Sequence, residues 1–193
     1  LRDQVRTEKE ALAKANLERS ARDLYQMCEV SHDILRRKID RDLGVARQVI
    51  AGKGPLLTLE RQTLRWIVRN PITQEESPVL LPRLLAGAIR LEKNDDPRRE
   101  AVLVDEVARL TGGTCSIFQR MNKQGDMLCV ATTMVQDNGK RAIGGTYVPA
   151  MNPGGLPNSL VASILSGKVH RYYDEMDQAG LMKACDPLRS NTR

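Results

Sequence analysis

The chain has 193 residues, 41% of them apolar and 28% charged, enough for one domain with a real core or for a domain plus an extended helical arm. Its formal net charge is +6, yet aromatic residues make up only 3%, so the basic balance comes without the stacking side chains of a nucleic-acid binder. Zinc-finger and RNP-like spacings are missing too, nucleic acid is not an expected partner, and proximity to an anionic membrane surface accounts for the charge equally well.

No run approaches the ~20 apolar residues of a membrane span, and no signal peptide is visible at Leu1. The chain begins inside a helical pattern, "LRDQVRTEKEALAK", as expected of a piece cut from a longer protein, which leaves room for a membrane segment outside it.

Residues 1–52 read as one long helix. Leu17, Ala21, Leu24, Cys28, Ser31, Leu35, Ile39, Leu43, Ala46 and Ile50 recur at steps of three and four, and charges of both signs fill the other faces. "AGKGP" stops it, with Gly52 and Gly54 as capping residues and Pro55 barring continuation. At about 1.5 Å per residue the helix is ~75 Å long, more than a small domain is wide. Its N-terminal part is expected to project as a stalk and pair with a second copy, making a homodimer.

The remainder, 53–193, reads as the globular part. Residues 56–97 contain Trp66 and are broken by three prolines and Gly87 before the polar "KNDDPRRE"; short strands and turns packed on the helix are predicted. Pro97 then opens a helix, "RREAVLVDEVARL", which "TGG" ends. From Thr114 the pattern changes to strands: "TCSIFQRM" and "MLCVATTM" joined by "NKQGD", then "AIGGTYVP" after the turn signal "DNGKR". "SLVASILSG" is a short helix with Asn158 or Ser159 as its cap and Gly167 at its end, and "KVHRYY" and "LMKACDPL" are two further strands. An α+β domain follows, an antiparallel sheet with helices on one side.

A turn centred near Gln124 sets Met121 opposite Met127, Gln119 opposite Cys129 and Cys115 opposite Thr133. Cys115 and Cys129 are then offset and do not bond, and a buried free thiol is the default for each. None of the four cysteines forms a C-x-x-C pair, so a metal or thioredoxin-like motif is unsupported, and no cofactor is expected of this chain. Whether Cys28 and Cys185 pair stays open.

Alternation places Thr114, Ser116, Phe118 and Arg120 on one face of the hairpin and Cys115, Ile117, Gln119 and Met121 on the other. The second set suits a core. The first offers small residues, a ring and a guanidinium fork for a carboxylate; equally, Arg120 at a strand end can pair with Asp126 across the turn. Arg141 and Tyr147 flank "AIGGT", where two glycines allow a close backbone approach or a bulge, and one of Tyr172 and Tyr173 must face inward. A catalytic reading has little to stand on. A Cys115–His170 pair lacks an orienting third group, and phosphate-loop, dinucleotide and nucleophile-elbow motifs are missing. The protein is not expected to be an enzyme.

"WIVRNPIT", "LPRLLAG", "VDEVARLTGGTCSIFQRMNKQGDMLCVATTM", "KRAIGGTYVPAMNPGGLPNSLVASILSGK" and "CDPLR" occur in this order. Together, over roughly residues 20–190, they resemble the Cache 3/Cache 2 fusion domain, the extracytoplasmic sensor of bacterial methyl-accepting chemotaxis proteins and some sensor histidine kinases. The resemblance implies a long helix leaving the membrane, a PAS-like antiparallel sheet and a pocket for a small carboxylate or amino acid. It implies a periplasmic domain of an inner-membrane protein in chemotaxis signal transduction, with the pocket face the one bearing Phe118 and Arg120; Ser116, Arg141, Tyr147 and Tyr173, read from the residues themselves, complete the ligand-binding candidates. A histidine-kinase sensor and a non-sensing interaction module built on the long helix are the alternatives. Two positions depart from the family pattern: Cys185 stands where an aromatic is usual and Cys129 where an arginine is usual. The family also continues past "CDPLRSNTR" with an apolar central strand. A sheet without that strand should expose an edge or borrow a strand from elsewhere.

Overall fold

The computed structural model describes residues 2–173, 182–188 and 191–192. The chain divides into two compact units, Leu1–Asp40 and Arg41–Arg193, with the boundary inside the first helix.

From Arg2 onward the first unit is helix, the larger part of α1 (Arg2–Lys53). Ala, Leu, Glu, Lys and Arg, all good helix formers, dominate its sequence. Every side chain from Leu12 to Lys38 is exposed, including Leu17 at 72% and Leu24 at 62%. The predicted stripe is therefore present and uncovered in this unit.

In the second unit the same stripe is half-buried at Leu43, Ala46 and Ile50, and Val49 is buried. α1 ends where Gly54, at φ 113°, donates to the carbonyl of Ala51. Gly87 lies against this end. A Cβ on Gly87 would sit 1.8 Å from the carbonyl oxygen of Lys53, so only glycine fits.

The segment predicted as short strands is instead a long hairpin, β1 (Leu56–Arg69) and β2 (Glu76–Ala86), followed by a two-residue β3 (Ile89–Arg90). Pro71 falls in its turn, where Asn70 Oδ1 accepts from the N–H groups of Ile72 and Thr73. Pro78 and Pro82 lie where β2 has no strand on its second side among the described residues, because β3 covers only Leu85 and Ala86. A strand tolerates prolines at such an edge. The β1–β2 register shifts between Leu59 and Thr63, and the carbonyl of Pro82 at that irregularity accepts from Gln119 Nε2.

The second helix, α2 (Val102–Thr111), starts five residues later than Pro97, because Asp96 turns the chain by accepting from the N–H of Arg98. It lacks a capping side chain at Ala101; Asp105 takes that N–H instead, and Gly112 closes the helix in the left-handed conformation. β4 (Ser116–Arg120) and β5 (Met127–Thr132) form the predicted hairpin. Its register near the turn differs from expectation by one residue. Cys129 faces Phe118, not Gln119, and Met127 faces Arg120, not Met121. The turn is shorter because Met121 N donates to Asp126 O and Asn122 Oδ1 accepts from Gly125 and Asp126 N–H groups. A register shift between Ile117 and Phe118 then restores the expected alignment, and Thr133 N donates to Cys115 O.

The predicted third strand is a narrow strap. Within residues 142–148 only β6 (Gly145–Thr146) counts as a strand, pairing in parallel with Val68 and Arg69 of β1. On its other side Gly144 N donates to Cys129 O, and Met127 and Val148 exchange two hydrogen bonds. The strap thus joins the two hairpins. α3 (Ser159–Leu165) is capped by Asn158, whose side chain accepts from Leu160 and Val161 N–H groups. β7 (His170–Tyr173) and β8 (Met182–Cys185) pair antiparallel, and β9 (Asn191–Thr192) runs parallel to Leu57 and Thr58. Among the described residues, that edge of β1 is therefore engaged only at its two ends.

One core ties these pieces together: Trp66, Val68 and Leu81 from the long hairpin, Leu103 and Val104 from α2, and Ile117, Leu128 and Val130 from the short one. The arrangement is α+β and rich in antiparallel pairs, as a PAS-like sensor requires.

Candidate functional site

The short hairpin carries the first three candidates on one face. Ser116 sits opposite Thr132, and their hydroxyls are 2.6 Å apart. Phe118 is 45% exposed, while its strand neighbour Ile117 is buried. Arg120 does not pair with Asp126. Its Nε donates to the carbonyl of Asn122 at 2.8 Å and its Nη2 to that of Lys123, which leaves the Nη1 N–H groups open to solvent. Asp126 is used inside the turn instead. It accepts from Asn122 Nδ2 at 2.8 Å and from Ala150 N at 2.7 Å.

Arg141 has a different setting. It is 5% exposed and its guanidinium is saturated. Nη1 and Nη2 grip the two carboxylate oxygens of Asp105 at 2.7 and 2.9 Å, Nη1 also reaches Thr132 O, Nη2 reaches Pro97 O and Arg99 O, and Nε reaches Asp96 O. One buried side chain thereby gathers α2, the loop before it and the end of β5 at the root of the strap. Burial on its own would raise the Asp105 carboxyl. The hydrogen bonds from Arg141 and Ala101 N–H, with the Arg141 charge, overcome that and hold it below its ordinary value.

Tyr147 lies on the strap and packs against the core. Its hydroxyl hydrogen-bonds with the side chain of Asn70 at the tip of the long hairpin. Burial and the nearby Asp126 charge raise its phenol above the ordinary value, against that bond. Tyr147 is half-buried against the core, whereas Phe118 is exposed. Tyr173 closes β7, but its side chain lies outside the described residues.

Burial raises both hairpin thiols. Cys115 is pushed up to about 11, with Asp105 adding to the effect, and Cys129 to about 12. They are protonated at neutral pH and poor nucleophiles. His170 Nδ1 lies 3.1 Å from Ser163 Oγ on α3. A shallow depression beside Cys28, Glu29, His32 and Asp33 is lined by α1 alone, and one helix cannot enclose a ligand. Among the described residues, no cluster of metal-ligating side chains occurs and no helix is long and apolar enough to cross a membrane.

The sequence singled out Asp126, but as a partner for Arg120; Asp105 and Asn70 were not singled out. Only the acidic first turn of α2 hinted at one of them, since a carboxylate there suits the helix dipole.

A family model matches nearly the whole chain: the Cache 3/Cache 2 fusion domain, over residues 2–193. The chain belongs to that family. No curated protein and no solved structure matches it. Cache domains are sensor modules that bind small molecules, typically outside the cytoplasm.

Proposed function

We propose that this Cache domain is the ligand-sensing part of a bacterial chemoreceptor, the periplasmic domain of an inner-membrane protein. Residues 1–52 act as a dimerising stalk and residues 53–193 hold the ligand. The family match across residues 2–193 carries this reading. A small carboxylate or amino acid suits the side chains available. Arg120 offers free guanidinium donors at Nη1, Ser116 a hydroxyl paired with Thr132, and Phe118 an exposed ring for the carbon body. Tyr147 adds a phenol on the strap that Arg141 fixes, and Tyr173 is a further candidate. Binding favours one of two arrangements of sheet and strap, and the long helix carries the difference inward.

A thermal-shift screen of small carboxylates and amino acids tests it. At least one compound should raise the melting temperature, because a ligand selective for the native state stabilises it by mass action. The shift should vanish in Arg120→Ala. A complete screen without a hit, or a shift indifferent to Arg120, counts against the site.

A further inference from the structure

Two consecutive carboxylates on α2 hold opposite partners. Asp105 takes both terminal nitrogens of Arg141, at the root of the strap, while Glu106 Oε2 lies 2.6 Å from Nζ of Lys53, the last residue of α1. Successive residues on a helix point about 100° apart, so one helix reaches two separate elements. The apolar side of α2, Leu103, Val104 and Val107, is buried and restrains it from sliding. We propose that α2 is a lever coupling the strap to the end of α1, with Asp105 and Glu106 as its two attachment points.

The strap is well placed to feed such a lever. It touches β1 through Gly145 and Thr146, and β5 through Gly144 and Val148. A ligand that moves either hairpin against the other must shift it, and its root is Arg141. At the far end Lys53 is fixed from two sides: Glu106 holds its ammonium group, and its carbonyl lies against Gly87. Displacement at that end has α1 as its continuation. The coupling gains its sensory meaning from the function proposed above, but its existence can be tested without any ligand.

Hydrogen exchange read by mass spectrometry on the whole chain provides the test. Glu106→Gln removes a single, partly exposed ion pair outside the apolar core, so the fold should survive. Exchange should rise about threefold in residues 49–54 and also in residues 142–148, which Glu106 does not touch, while the centre of β1 around Trp66 is unchanged. The charge-swapped pair Lys53→Glu with Glu106→Lys should restore the strap to wild-type exchange. From the other end, Arg141→Lys keeps the charge, loses the fork, and should loosen residues 49–54. Changes confined to residues 49–54 in Glu106→Gln, or to the strap in Arg141→Lys, overturn the lever. If the lever holds while the ligand screen finds nothing, the coupling stands and the sensing assignment fails; the opposite pair of results keeps the site and removes the lever.

Discussion

Single residues here separate into those that face solvent and those that bind the frame. Cys28 is exposed, whereas Cys115 and Cys129 are shielded and hold their protons to about 11 and 12. Timed alkylation of the native protein at pH 8 should label Cys28 first and leave the hairpin thiols unmodified until the fold opens, as peptide mass spectrometry will show. Arg141 belongs to the frame. Arg141→Ala leaves the carboxylate of Asp105 without its fork and four carbonyls without that donor. It should cost about 3 kcal/mol in chemical denaturation, near the lower end for breaking a buried pair because Asp105 is partly exposed. The sign of the acid dependence follows from Asp105. Its folded carboxyl lies below the ordinary 3.8, so its contribution is present above that value and lost as pH falls through the lower one. The melting temperature of the wild type should therefore drop more steeply below about pH 4 than that of Arg141→Ala, where the carboxyl has lost its guanidinium. The buried ion pair was not readable from sequence, because Asp105 and Arg141 are 36 positions apart and only the folded hairpin brings them together.

Among the elements, those with local signals were legible: the long helix by its period, α3 by Asn158, the short hairpin by its turn. The long β1–β2 hairpin was not. Its prolines read as breaks, yet an unpaired edge makes no use of the N–H they lack. Alternation does mark β1 over residues 64–69, where Trp66 and Val68 are buried between exposed Arg65, Ile67 and Arg69. Register was the other weak point. Cys129 moved from Gln119 to Phe118 because the hydrogen bonds of Asn122 set the turn, a choice that spacing cannot make. Gly87 packs its backbone against the end of α1 and donates to the carbonyl of Pro55. Gly87→Ala should lower stability by more than about 1 kcal/mol, since the new methyl meets the Lys53 carbonyl and the backbone is held at φ 59°. Thermal denaturation of the two proteins side by side measures it; equal melting temperatures would mean that the end of α1 can yield.

Across the whole molecule the open question is what covers the stalk. Leu17, Leu24 and Leu35 stand exposed on one stripe of α1, and the proposal is that a second copy of the chain covers them. Sedimentation should then give a mass that rises with concentration toward twice 21.6 kDa, and Leu24→Glu with Leu35→Glu should hold the protein as a monomer. A monomer at every concentration would remove the dimer from the proposed function. The sequence by itself determined the family, the α+β class, the long helix and the hairpin, because each rests on periodicity, turn chemistry or a motif string that neighbours in the chain supply. Tertiary structure alone decided which polar groups are frame and which are free. Arg120 and Arg141 look alike in the sequence, but one keeps open donors at a turn and the other is closed inside a knot of carbonyls and a carboxylate. That difference depends on burial and on partners remote in the chain, and neither quantity is written in local spacing.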